Sequence, residues 1–301
     1  MKDLTGIINV YKPPGITSFA LLSFVKKAIG VKKAGHGGII DFMAQGVLPL
    51  LIGEATKLTS LLLLLPKEYE GEITLGMETD THDIWGKLTS DKDASHITLK
   101  DVEALKEKFV GKIKQIPPKF SAKRVDGKRA YELAKRGEEV QLKEREIEIF
   151  QFDILNFRSG KHPKFDFRIL CSSGTYMRSV ARDIGRKLKV GGTLSYLVRT
   201  AVGKLELKDS LHLDDIINYA KSGNFDEMIM SIEDFLDFIP RVALPKRKLF
   251  LFKTGNQIRF DHPYLRGGYV LVLNSRGKAV GIGKFFEGVG ELKPVRIFNI
   301  P

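Results

Sequence analysis

The chain has 301 residues, 43% hydrophobic and 28% charged, the balance of a folded protein of one large or two medium domains. That balance excludes global disorder, and a formal net charge of +13 favours an anionic partner, nucleic acid before acidic membrane. Cys171 is the only cysteine, which excludes an intramolecular disulfide and argues against a thiolate zinc cluster.

The opening Met-Lys-Asp-Leu-Thr-Gly lacks the basic-then-apolar pattern of a signal peptide, and the five leucines at 61–65 are too few to span a bilayer. A cytoplasmic protein with no membrane partner is expected.

In chain order, residues 6–11 read as a buried strand closed by Lys12-Pro13-Pro14-Gly15. Thr17-Ser18 starts a helix, with Leu22, Val25 and Ile29 at helical spacing. A Gly-rich loop, Gly35-His36-Gly37-Gly38, leads into an apolar run ending at Ile52. Residues 68–77 alternate as a strand, and residues 98–109 form a capped amphipathic helix. Residues 117–137 are basic and punctuated; residues 146–157 and 165–171 alternate as strands. Helices are expected at 176–188, 213–220 and 232–238. After Pro240 short β-like runs at 249–252, 269–273, 279–282 and 295–300 alternate with Gly-rich turns, the pattern of a small β-barrel. This segment, 240–301, holds 12 Lys and Arg against 3 Asp and Glu, a concentration of charge suited to phosphates. The fold class is therefore α+β with a mixed sheet, followed by an all-β module, with a boundary near 238.

Asp41 stands among Ile39, Ile40, Phe42 and Met43 at the end of the Gly-rich loop. A carboxylate in apolar company has strengthened charge interactions. The plainer alternative is a cap for a helix starting at Phe42. Arg178 falls in the first turn of the 176–188 helix, an unfavourable place for a cation unless it serves something else, such as a buried carboxylate. Tyr69 and Tyr176 offer flat faces on which a base could stack. Residues 116–131 interleave aromatics with cations, as an RNA-clasping loop would.

Several blocks, in order, resemble the bacterial tRNA pseudouridine-55 synthases, the TruB family. They are Gly15-Ile16-Thr17-Ser18; Gly35-His36 through Asp41; Gly46-Val47-Leu48-Pro49; Gly53-Glu54-Ala55-Thr56-Lys57; and Lys67-Glu68-Tyr69. They continue with Leu75-Gly76, Thr79-Asp80-Thr81, Pro117-Pro118, Ser173-Gly174-Thr175-Tyr176-Met177-Arg178 and Leu197-Val198-Arg199-Thr200. The C-terminal part is similar to a PUA module through Gly255-Asn256-Gln257-Ile258 and Leu292-Lys293-Pro294-Val295.

The resemblance implies a catalytic domain over 1–238, with a mobile RNA-clasping loop at 117–142, and a PUA domain over 239–301. Asp41 would be the catalytic aspartate, paired with Arg178, and Tyr69 would stack on the target base and help in proton steps. His36 would fill the space left by flipped bases. Tyr176 and Leu197 would line the uracil pocket, and Lys12, Arg124 and Gly174 would join them in binding substrate. The reaction breaks the N1–C1′ bond of a uridine, turns the uracil and joins C5 to the same carbon. It needs neither cofactor nor metal. The expected partner is tRNA, held by its TΨC stem-loop and acceptor end, with no guide RNA and with the protein as a monomer. The rival reading is a non-catalytic tRNA-folding chaperone.

The chain departs from the family pattern at the loop itself. Ile39 stands where Thr is usual, Ile40 where Leu is, Phe42 where Pro is, and Gln45 where small or hydroxyl residues are common. These changes are expected to crowd the loop and to remove a hydroxyl that orders it.

Overall fold

The computed structural model describes residues 3–120, 124–125, 128–129, 142–260 and 265–300. Most of the expected clasping loop lies outside these residues, as does the side chain of Arg124.

The strands of the first part are β1 (Gly6–Lys12), β2 (Ala34–His36), β3 (Gln45–Ile52), β4 (Lys67–Leu75), β5 (Met77–Thr79) and β6 (Leu88–Asp91). There follow β7 (Gly111–Gln115), β8 (Arg124–Val125), β9 (Lys128–Arg129), β10 (Arg145–Arg158), β11 (Lys164–Cys171), β12 (Gly192–Val202) and β13 (Leu205–Glu206). Among the described residues, nine of these make one sheet in the order β1-β3-β12-β4-β11-β10-β7, with β2 beside β3 and β13 beside β12. The β3–β12 pair is parallel and its neighbours are antiparallel, so the sheet is mixed as expected.

Alternate residues of β1 and β3 enter two different cores, because successive side chains of a strand point to opposite faces. Ile8, Val10, Leu48, Leu50 and Ile52 join the larger cluster, whereas Ile7, Val47 and Leu51 join a second one behind the sheet. Both faces are covered, which is why these strands read as unbroken apolar runs.

Helix α1 (Ser18–Ile29) begins where expected, with the Thr17 hydroxyl accepting from the Ala20 N–H at 3.0 Å. It ends at Gly30, whose left-handed backbone (φ 73°) an L side chain rarely adopts. Next come α2 (Thr59–Leu64), α3 (Leu99–Lys106), α4 (Met177–Lys187), α5 (Leu213–Ser222), α6 (Phe225–Met228) and α7 (Ile232–Phe235). The helix α4 packs its Val180, Ala181 and Ile184 into the larger core and runs directly from the turn after β11.

Beyond residue 240 lie β14 (Arg241–Ala243), α8 (Lys246–Lys253), β15 (Ile258–Arg259), β16 (Gly268–Leu273), β17 (Ala279–Phe286) and β18 (Glu291–Ile297). The five strands form their own sheet, in the order β14-β16-β17-β18-β15. Here the sequence reading needs correction: the run at 249–252 is helical. Leu249 and Phe252, three residues apart, face the core of the small sheet, while Phe250 between them is 67% exposed, a helical and not an alternating pattern. The two sheets share a core, since Leu271, Ile282 and Phe298 pack with Ile7, Val47 and Leu58.

Candidate active site

Asp41 lies in the loop that joins β2 to β3. Gly37 anchors its start by donating its N–H to Pro49 O at 2.8 Å; a Cβ there would meet Leu62 Cδ2 at 2.6 Å, so only glycine fits without a shift. Gly46 closes the loop where β3 meets β12, with a left-handed φ of 107° and Arg199 O at 2.3 Å from a hypothetical Cβ. No helix starts at Phe42: the Asp41 carbonyl accepts from Ala44 N–H at 3.2 Å in an open turn. The capping alternative for Asp41 is thereby removed.

Arg178, in the first turn of α4, reaches across the sheet end to Asp41. Its Nε donates to Oδ2 at 2.9 Å and its Nη2 to Oδ1 at 2.7 Å, a bidentate pair. Nη1 also donates to Thr81 O at 3.2 Å and Nη2 to Phe120 O at 3.0 Å. The Arg178 side chain is 6% exposed and that of Asp41 26%, so the pair is buried on one side and open on the other. A second carboxylate, Asp83, lies 3.8 Å from Arg178 Nη1 and is fixed by the Thr81 hydroxyl (2.9 Å) and the Trp85 N–H (3.1 Å). Burial works against the Arg178 charge, but Asp41 and Asp83 offset it and hold its pKa above the ordinary arginine value. Burial raises the pKa of Asp83, with Arg178 opposing.

Three buried cations, two of them against the Asp41 loop, have no carboxylate of their own within ion-pair distance among the described residues. Arg199, 1% exposed, donates to Val47 O at 2.8 Å and to Ile39 O and Gly38 O at 3.3 Å, gripping the loop backbone on both sides of Asp41. Lys12, 0% exposed, donates to Ala44 O at 2.7 Å and Pro13 O at 2.9 Å. Burial lowers its pKa to about 8, with Asp41 opposing and Arg199 adding to the shift. Lys67 is spent on the carbonyls of Leu62, Leu63 and Leu65 at the end of α2, and burial likewise lowers its pKa to about 8.

Tyr69, on β4, stands opposite Arg199 of β12. Burial raises its pKa, Arg199 opposes through charge and a hydrogen bond, and Asp41 adds to the rise, so the phenol keeps its proton. Leu197, 2% exposed, pairs with Gly71 of β4 two residues along the same strand. Tyr176 immediately precedes α4; its N–H donates to Gln115 Oε1 at 2.9 Å and its carbonyl accepts from Gln115 Nε2 at 3.2 Å. His36, on β2, is kept neutral, since burial lowers its pKa. Gly174 turns the chain into α4 at φ 81°, with the Arg145 guanidinium packed where a Cβ would stand.

Ile39 and Phe42 do not crowd the loop as expected: their side chains are 57% and 50% exposed, and of the three substituted apolar positions only Ile40 is buried. The Ser18 hydroxyl supplies the ordering contact, accepting from Ile40 N–H at 3.1 Å and donating to Ile40 O at 3.3 Å. Gln45 bridges two tyrosines, accepting from the Tyr11 hydroxyl at 2.6 Å and donating to that of Tyr196.

Residues 26–177 match the family model described as TruB family pseudouridylate synthase (N terminal domain). The chain belongs to the TruB family. A relative from Caldanaerobacter subterraneus subsp. tengcongensis, named tRNA pseudouridine synthase B, is 37% identical over 296 residues, 98% of this chain and all of that protein. One of the same name from Symbiobacterium thermophilum is 44% identical over 215 residues, 71% of this chain and 72% of that protein. The TruB fold also superposes on a chain of an H/ACA RNP bound to a substrate RNA containing 2′-deoxyuridine, with a TM-score of 0.72. That likeness, at 22% identity over 98% of this chain and 85% of the other, concerns the fold alone.

Within the family blocks, sequence reasoning did not single out Asp83, Gln115 or Arg199. The signal for Asp83 was its place two residues after the Thr79-Asp80-Thr81 block. For Arg199, a charged group following the apolar Leu197-Val198 was the only sign, and Gln115, at the end of a strand that alternates with lysines, carried none.

Proposed function

We propose that this chain is a stand-alone tRNA pseudouridine synthase that isomerises uridine 55 of the TΨC loop, with Asp41 as its catalytic carboxylate. The shared name of its relatives, one of them matched over its whole length, supports the tRNA substrate and the reaction. The observation that carries the role of Asp41 is its bidentate contact with Arg178 beside an open face. Arg178 fixes both carboxylate oxygens in one plane, so that either oxygen is aimed before the substrate arrives.

The uridine leaves its stack to reach a site at this depth. Tyr69 gives it a ring to stack on, and Leu197 and Tyr176 wall the pocket. Attack of the carboxylate on C1′ and removal of a sugar proton both start from the same placed oxygen. The N1–C1′ bond breaks, the uracil turns, and C5 bonds to C1′. The C5 hydrogen then passes to solvent while N1 gains one, so the product is an isomer and no redox partner is needed. Lys12 and Arg199 act through the loop backbone: they position Asp41, and their charge favours an approaching phosphodiester.

Residues 1–238 serve as the catalytic domain and 239–301 as a PUA module that grips the acceptor end. The excess of 12 cations over 3 anions beyond residue 239 supports phosphate contacts there. The protein acts as a cytoplasmic monomer without a guide RNA.

The test uses purified protein and an unmodified tRNA transcript tritiated at C5 of its uridines. Tritium release, with one modification mapped to the TΨC loop, is the expected result. Tight binding without release would favour a folding chaperone, and release only with an added guide would place the chain in a multi-component particle.

A further inference from the structure

Two aromatic rings stand exposed beside the carboxylate network, and the reaction as described leaves them without a task. Phe42 follows Asp41 directly and is 50% exposed; Trp85 lies two residues after Asp83 and is 55% exposed. Their centroids are 5.5 Å apart at an interplanar angle of 82°, an edge-to-face pair. Both rings ride on firmly held backbone. The Phe42 carbonyl accepts from Gly15 N–H at 2.9 Å, and the Trp85 N–H donates to Asp83 Oδ1 at 3.1 Å. Asp41 and Asp83 in turn meet the same guanidinium, that of Arg178, so one ion network holds both ring-bearing turns. The tip of the Trp85 ring lies over Gly15, 3.8 Å from where a Cβ would be.

A rigid aromatic pair left half in water next to a catalytic carboxylate has an occupant of matching chemistry. When a target base leaves its stack, a neighbouring base loses a stacking face. Aromatic side chains take up such faces in single-stranded RNA, without regard to base identity. A protein partner would need a wider apolar surface than two rings. We infer that Phe42 and Trp85 form a stacking platform for a loop base adjacent to the target uridine, holding the RNA in register while Asp41 acts. The inference rests on the synthase reading. Phe42 is a positioning residue in it and touches no reacting atom. The family's usual Pro at this position offers no aromatic face, so the platform belongs to this chain.

Trp85 is the only tryptophan, so intrinsic tryptophan emission reports on the platform alone. Titration of the intact protein with unmodified tRNA transcript is expected to quench that emission saturably. Phe42→Ala should raise KM on the order of tenfold, with kcat nearly unchanged, and Phe42→Tyr should restore KM. A stem-loop RNA carrying an abasic residue beside the target should lose the quenching and remove the difference between wild type and Phe42→Ala. Unmoved emission at saturating tRNA, or equal KM for Phe42→Ala and wild type, would overturn the platform while tritium release leaves the synthase reading standing. Wild-type protein that quenches but releases no tritium would sink the synthase reading, and the platform with it as a catalytic aid.

Discussion

Arg178 meets Asp41 side-on, its Nε at 2.9 Å from Oδ2 and its Nη2 at 2.7 Å from Oδ1, while its Nη1 faces Asp83 at 3.8 Å. One guanidinium thus aligns the candidate catalytic carboxylate and a second, more deeply buried one. Lysine keeps the charge but lacks the planar fork. Arg178→Lys should therefore lower kcat by at least about a hundredfold, roughly 3 kcal/mol of barrier, with tRNA affinity within about threefold of wild type. Comparable losses in kcat and affinity, from single-turnover kinetics and filter binding, would assign Arg178 to RNA contact instead.

Gln115 is 1% exposed and satisfies both the N–H and the carbonyl of Tyr176, the residue that precedes α4. Leucine there has similar volume but leaves two buried backbone groups without that partner. Gln115→Leu should cost about 1–3 kcal/mol of stability in denaturant unfolding. It should also lower kcat, because Arg178 stands two residues on. A stable variant with full activity would show that α4 is oriented by its core face alone.

Lys12 links the site to alkaline pH. Its pKa in the folded protein is about 8, below the ordinary 10.5, because burial disfavours the charged form. Between those values the unfolded chain binds the proton that the folded one has released, so stability must rise with pH across this window. The unfolding free energy of wild type relative to Lys12→Met should shift in favour of wild type from about pH 8 to about pH 10.5. A pH-independent difference would mean that the ammonium is not held at a depressed pKa.

His82 carries the corresponding acid signature. Its backbone is left-handed (φ 62°), and burial together with Arg182, Arg186 and Arg178 lowers its pKa to about 4. As pH falls below about 6.5 the unfolded chain takes up the proton first, so this stabilisation is complete above that value and lost on approach to about 4. Asparagine tolerates the left-handed conformation. His82→Asn should unfold with a shallower acid dependence than wild type, and parallel profiles would contradict the assignment.

The sequence pattern located most of the architecture because strong periodicity and caps mark it. The Thr17 cap, the Leu22-Val25-Ile29 stripe and the alternation in β10 and β11 all correspond to observed elements. It failed at α8, where four apolar residues in a row carry no period and tertiary burial of Leu249 and Phe252 decides. The same limit applies to the loop. Ile39 and Phe42 look like crowding in a linear string, but whether a side chain points inward depends on the turn between Gly37 and Gly46. The position of Arg199 was hidden for a related reason: its partners are backbone carbonyls, which leave no mark on residue type.

In the function proposed, Asp41 performs the chemistry and does not merely hold the fold. Asp41→Asn preserves shape and can still accept one of the two hydrogen bonds from Arg178, through its amide oxygen, while removing the charge. Tritium release from C5-labelled tRNA should fall by four orders of magnitude or more, at roughly unchanged tRNA affinity. Release at a rate within about tenfold of wild type would contradict the account and leave Asp41 as a structural partner of Arg178.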